Sequence, residues 1–170
     1  FWTRMIEYQQ STKQQPKEWL ELGKSHGLVK ARHYRVIYGV CQTSQVTQEK
    51  IKYQKEESAL AYTWFTEHLP YRIKDVCLFQ LNDTNHFVIV TQHKCDALAD
   101  YLIETADELA TCLPFNIAFG VGSVYESIDD IASSFIEAKT AYEERKGQRD
   151  TSAVSFYHQK GMRSLFEKMT

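Results

Sequence analysis

Hydrophobic and polar positions alternate along this chain in two periods, and the switches between them set out the elements. His33 to Gln42 runs at period two, with Tyr34, Val36, Tyr38 and Val40 on one face and Ile37 and Cys41 on the other. Apolar residues on both faces predict a central strand. From Thr47, a cap residue, to about His68 the period is helical, with Ile51, Ser58, Tyr62, Phe65 and Leu69 on one side. Leu60, Ala61 and Trp64 widen that side, and Pro70 closes the element. Val76 to Leu81 and Phe87 to Thr91 read as two strands of a hairpin about the turn-rich Asn82 to His86. A helix opened by Cys95 or Asp96 follows, with Leu98, Leu102, Thr105, Leu109 and Cys112 at helical spacing and Pro114 at its end.

The next segment is the most legible. Phe115 to Val121 is an apolar strand, and Gly120 and Gly122 predict a tight exit from it. Ser127, with Asp130 three residues on, has the form of a capping box. Ile128, Ile131, Phe135, Ala138 and Tyr142 place one apolar stripe on the helix behind it. Arg145 and Lys146 suit the negative end of its dipole, and Gly147 is placed to stop it. Ala153 to Tyr157 supplies a last short strand. Residues 1 to 29 read as helix interrupted near Ser11 to Pro16 and ended by Gly23 and Gly27, and Gly161 to Thr170 as a further helix.

The order is β-α-β-β-α-β followed by α-β. The fold class is therefore α+β: a ferredoxin-like βαββαβ core, an antiparallel-rich sheet with both helices on one face, extended by one αβ unit. Residues 1–29 are expected to form a helical lead-in, 30–158 the domain, and 159–170 the start of a linker to a further domain. The beginning at Phe1-Trp2 reads as a piece of a longer protein, cut inside a helix.

Composition narrows the function classes. The 170 residues are 43% hydrophobic and 25% charged with a net charge of -2, ordinary for a globular domain and unlike a dedicated nucleic-acid or membrane surface. Residues 1 to 35 carry seven Lys/Arg against three Asp/Glu, a mild basic bias that leaves the remainder acidic. No apolar run is long enough to span a membrane. Cys41, Cys77, Cys95 and Cys112 are widely spaced, three of them in apolar patterns, which predicts free buried thiols in a reducing cytosol. The six histidines show no metal-ligand spacing, so no metal or cofactor is expected. Trp64 with Leu60, and the residues around Trp2, are the expected exposed apolar leftovers, suited to a dimer or a neighbouring domain.

The strand IAFGVGS and the helix SFIEAKTAYEERKGQRD resemble the C-terminal part of GGDEF domains, in which an S-x-G strand precedes an A-x-x-A-x-Y-x-A-K-x-x-G helix. The hairpin falls where those domains carry the GGDEF turn. With Phe87 as its last residue, the motif is replaced by Asp83-Thr84-Asn85-His86-Phe87. Such domains use acids near the end of the first strand and in the hairpin to hold two cations while two GTP molecules are joined. Here Val40-Cys41-Gln42-Thr43 offers no carboxylate, and Asn85 and His86 take the positions of the acidic pair. An amide and an imidazole are poor ligands for a hard cation, so no catalytic residues are assigned and no cyclase activity is expected.

With FWTRMIEYQQ and GLVKARHYRVIYGV, the whole chain resembles the degenerate GGDEF-like middle domain of AraC-type two-component response regulators. It is also similar to the GGDEF-like domain of sugar-diacid and purine-catabolism regulators, through Ser134-Phe135-Ile136-Glu137-Ala138. That resemblance implies a cytoplasmic, non-catalytic relay or dimerisation module, a homodimer. It would sit between a receiver and a helix-turn-helix domain in a phosphorelay, touching DNA only through the latter. A small-molecule or nucleotide sensor of the same fold is the alternative, and a residual cyclase the third reading. Candidate ligand-binding residues are Asn85 and His86 in the hairpin turn, and Arg72 and Asp75, which match the R-x-x-D form of the cyclic-di-GMP site. A solvated strand entry is the better explanation of that short pattern.

Overall fold

The computed structural model describes residues 2–11, 23–43, 54–69, 73, 76–81, 85–113, 115–146 and 153–157. Strand β1 (Arg35–Thr43) leads to helix α2 (Gln54–His68), the hairpin β2 (Val76–Gln80) and β3 (His86–Thr91), and helix α3 (Leu98–Cys112). Strand β4 (Phe115–Val121), helix α4 (Ile131–Lys146) and the short β5 (Val154–Phe156) complete the order, with helix α1 (Trp2–Ser11) ahead of them all. The five strands form one sheet in the order β2-β3-β1-β4-β5, antiparallel except for the parallel pair β4–β5. The first four strands have the expected split βαβ arrangement, and β5 is added at the edge through α4.

β1 lies between β3 and β4, which is why it is apolar on both faces. Ile37 and Cys41 enter a core with Phe65 of α2 and Leu102 and Leu109 of α3. Val36, Tyr38 and Val40 enter a second core with Met5 of α1 and Ile131, Phe135 and Tyr142 of α4. The sheet is thus covered on both sides, α2 and α3 on one and α1 and α4 on the other. Among the described residues no helix is long and apolar enough to cross a membrane.

Several expectations change. Gly120 and Gly122 serve close packing rather than a turn: a Cβ on Gly120 would stand 2.7 Å from the Tyr142 amide nitrogen, and closer still to the Ala138 carbonyl oxygen. One on Gly122 would stand 2.6 Å from the Ser134 hydroxyl oxygen. Among the described glycines only Gly27, after the 3-10 turn Lys24–His26, has a positive φ, 90°. Ser127 does cap, but its hydroxyl accepts from the Asp129 amide at 3.2 Å and begins a 3-10 turn, Ile128–Asp130, ahead of α4. The capping box with Asp130 does not form, because the tighter turn brings the nearer amide to the cap.

α3 begins at Leu98 behind Ala97, which offers no side-chain cap. Asp96 instead pairs with Lys94 at 3.6 Å on the surface. Trp2 and Trp64 are buried, not left over: Trp2 stacks on Phe79 at 5.8 Å, and Trp64 on His68 at 4.2 Å. Leu60 is 51% exposed, since Ala61, Trp64, Phe65 and Leu69 already occupy the inward face of α2. Cys41 and Cys77 are buried as expected, Cys95 is half-buried, and Cys112, on the last turn of α3, is exposed; all four are free. The expectations placed on Thr47, Ile51, Pro70, Pro114, Gly147 and the segment 161–170 lie outside the described residues.

Candidate functional site

The hairpin and the end of β1 meet at one edge of the molecule. The Leu81 amide donates to the His86 carbonyl at 2.9 Å and closes the hairpin. The Cys41 amide donates to the Asn85 carbonyl at 3.0 Å, and the Asn85 side-chain Nδ2 donates to the Cys41 carbonyl at 2.6 Å. Asn85 is therefore held to β1 by backbone and side chain together, extending the β1–β3 ladder by one position. His86 lies opposite Val40. Its Nδ1 is hydrogen-bonded to the Tyr38 hydroxyl, and the two rings meet edge to face at 5.5 Å. Burial, with Tyr142 and Glu143 nearby, pushes the Tyr38 hydroxyl up to about 12.

Between this edge and α4 opens a cleft of about 450 Å³. Tyr38, almost fully buried, is among its lining residues, and Phe135 and Tyr142, also lining it, stand roughly edge-on to the Tyr38 ring at 6.0 and 5.6 Å. Lys139 and Glu143, one helical turn apart, supply its charges. A second cavity of about 370 Å³ shares Val40, Gln42 and Tyr142 with the first and carries Asp107, Asn116 and Arg145 as its other polar residues. Each cavity thus contains one carboxylate, and Gln42 stands at the end of β1 between them. Among the described residues no three His, Cys, Asp or Glu side chains gather as a metal set.

Of the four predicted site residues, the structure brings Asn85 and His86 together at the cleft. Arg72 and Asp75 lie outside the described residues. Sequence reasoning did not find the partnership of His86 with Tyr38, which joins residues 48 apart. The alternation in β1 put Tyr38 on one face with Val36 and Val40, and the fold sets that face against α4.

A buried polar network on the same face explains the S-x-x-E-A pattern. The Ser134 hydroxyl accepts from the Val36 amide at 2.9 Å and donates to the Ser123 carbonyl at 2.8 Å. The Glu137 carboxylate accepts from the Ser123 hydroxyl at 2.7 Å and from the Tyr125 hydroxyl. Burial first, then this bond to Glu137, pushes the Tyr125 hydroxyl well above its ordinary range. Tyr125 also exchanges backbone hydrogen bonds with Tyr34, 2.8 and 2.9 Å. These residues fasten α4 and the loop after β4 to β1. Their polar atoms are spent on one another.

A protein-family model described as GGDEF-like domain matches residues 11–143. No curated protein matches the chain. Among solved structures, the fold is similar to a microbial GGDEF domain studied in its interaction with bis-(3,5)-cyclic di-GMP, at TM-score 0.55 and 11% identity over 89% of this chain and 85% of that one. It is similar to the active GGEEF domain of a diguanylate cyclase from Vibrio cholerae at TM-score 0.55 and 12% identity, over 75% of this chain and 85% of that one. The GGDEF domain of DgcB from Caulobacter crescentus, in complex with c-di-GMP, gives TM-score 0.51 and 10% identity over 82% and 81%. At these identities the likeness is one of fold.

Proposed function

This chain belongs to the GGDEF-like domain family, and from that premise we propose that it is a non-catalytic regulatory domain that relays a signal or mediates dimerisation within a bacterial transcriptional regulator. The observation that carries this reading is the state of the hairpin edge. Joining two nucleoside triphosphates requires carboxylates that hold divalent cations against the developing charge. Asn85 instead spends its amide on the Cys41 carbonyl, and His86 engages Tyr38. The end of β1 contributes the neutral Gln42. Among the described residues, the carboxylates lining the two cavities are Glu143 in one and Asp107 in the other.

The setting we infer is a cytoplasmic two-component response regulator. In it the chain forms a homodimer between a receiver and an AraC-type helix-turn-helix domain, which alone touches DNA. The resemblance of the lead into β1 and of the S-x-x-E-A helix supports that setting. The second reading, a small-molecule sensor of the same fold, draws on the open cleft beside His86. Incubating the purified chain with GTP and Mg²⁺ or Mn²⁺ tests the first: no cyclic dinucleotide above the protein-free blank is expected, and its formation would overturn the reading.

A further inference from the structure

The end of β1 away from the hairpin holds an uncompensated cation. Arg35 opens the strand opposite Thr91 and shares the Ile37 face. Its side chain meets the edge of that core at Phe156, with the guanidinium carbon 5.8 Å from the ring centre. The residue is half-buried, and its Nε is sealed from solvent without a hydrogen-bond partner. Among the described residues no carboxylate pairs with it, and burial alone lowers the guanidinium below its ordinary range. Arginine stays charged regardless, so it does not escape the cost of burial by losing its proton. The Phe156 ring offsets part of that cost and leaves the guanidinium edge to an oxyanion. The surroundings add charge of the same sign. His33 is held low by burial first, then by Arg35, His93 and Lys94. No acid stands between Gly23 and Arg35. In the loop from His93 to Ala97 the acid is Asp96, exposed and paired with Lys94 at 3.6 Å. An unpaired charge is costly to bury, and one surface carboxylate does not balance this group.

We propose that this end of the sheet is an anion site for a small phosphate-class dianion, with Arg35 as its principal ligand and His33, His93 and Lys94 supplying the surrounding positive field. A guanidinium offers such a group paired N–H donors, and a dianion meets the excess of positive charge better than a monoanion. The proposal goes beyond the regulatory reading by naming a class of ligand, and it stands whether or not the chain turns over nucleotide. The site is remote from the hairpin edge, since Arg35 pairs with Thr91 while Val40 pairs with His86. Occupancy would be felt by α4 through the next residue of β1: the Val36 amide donates to the Ser134 hydroxyl at 2.9 Å.

The test is a nuclear magnetic resonance titration of the chain with inorganic phosphate, and separately with glycerol 3-phosphate, at constant ionic strength set by chloride. The readouts are the Arg35 Nε–Hε signal and the backbone amides of His33, Arg35 and Lys94. Saturable shifts with a millimolar dissociation constant are expected from at least one of the two, and which one binds more tightly separates a free-phosphate site from one for a phosphorylated metabolite. Acetate, a monoanion, should bind about tenfold more weakly, the scale of one lost charged hydrogen bond. Arg35→Lys keeps the charge without the planar fork and should weaken phosphate by about tenfold as well. Thermal melts supply the second arm. In chloride alone Arg35→Met should melt no lower than the parent, because the methionine stem still covers Phe156 and the unpaired charge is gone. Phosphate at about fifty times its dissociation constant should then raise the parent by about 5 °C more than Arg35→Met, a difference that removes the general stabilising effect of the salt. Shifts that do not saturate, acetate binding as tightly as phosphate, equal phosphate responses of parent and Arg35→Met, or an Arg35→Met protein melting well below the parent in chloride would each overturn the proposal.

Discussion

Replacing Gly120 by alanine asks whether α4 rests on β4 backbone to backbone. The added Cβ would stand 2.7 Å from the Tyr142 amide nitrogen and nearer still to the Ala138 carbonyl oxygen, where ordinary contact begins at 3.4 Å. Neither atom is the end of a flexible side chain, so relief requires α4 to move outward by at least about 0.7 Å, and by more at Ala138. A gap of roughly 0.5–1 Å forfeits a quarter to a half of each dispersion contact along the seam. Ile131, Phe135, Ala138 and Tyr142 all lie on that seam. Overpacking of this kind costs about 1–3 kcal/mol, and the rigidity of the clash places Gly120→Ala near the top, at about 3. The smaller entropy of an unfolded chain with alanine returns about 0.4–1 kcal/mol, leaving a net loss of about 2.

For a domain of this size each kcal/mol moves the melting temperature by roughly 2–4 °C, so a fall of about 4–8 °C is expected. Urea unfolding followed by circular dichroism, with thermal melts beside it, provides the measurement. Gly39→Ala is the control. Its Cβ would meet the Phe119 ring at 3.1 Å and Ile117 Cδ1 at 3.3 Å, both side chains, so its loss should stay below about 1 kcal/mol. A Gly120→Ala protein within about 0.5 kcal/mol of the parent would refute the close-packing account.

The same face supports two more predictions. Glu137→Leu strands the Ser123 and Tyr125 hydroxyls that the carboxylate now accepts from, and should cost about 2–3 kcal/mol in urea unfolding, with Glu137→Gln losing less because it keeps one acceptor; equal stability of all three proteins would contradict the network. Because the Tyr38 hydroxyl is raised from 10.0 to about 12 in the fold, its stabilising contribution is fully present below pH 10 and is lost as pH rises through about 12. Tyr38→Phe should therefore flatten the alkaline decline in stability, and ultraviolet titration of tyrosinate should lose one of its late-titrating components, with that of Tyr125 remaining.

Periodicity made much of this fold readable and pair geometry did not. The alternation in β1 gave its central position, because Val36, Tyr38 and Val40 face one core and Ile37 and Cys41 the other. The Ile131, Phe135, Ala138, Tyr142 stripe gave the buried side of α4 for the same reason. A glycine in a strand, by contrast, signals either a turn or a close approach, and only the position of α4 decides which for Gly120. Trp2 looked like a surface leftover because its partner, Phe79, is a matter of docking rather than of local pattern, and Trp64 because the core it enters with α3 and β4 is set by how α2 docks. Cys112 matched the helical spacing of α3 yet falls on its final turn, beyond the reach of the core.

At the candidate site, residue types at Asn85 and His86 were legible as a replacement for acids. Their actual partners, the Cys41 carbonyl and the Tyr38 hydroxyl, were not, since both contacts join segments more than 40 residues apart. The cleft itself left no local mark. Lys139 and Glu143 line it only because α4 lies beside the hairpin edge.

The most direct test of the account is nucleotide turnover at that edge. The purified chain, over a range of concentrations, is incubated with GTP and Mg²⁺ or Mn²⁺ and the products are separated chromatographically. The account predicts no cyclic dinucleotide above the protein-free blank with either metal. Cyclic dinucleotide that scales with protein concentration would contradict it.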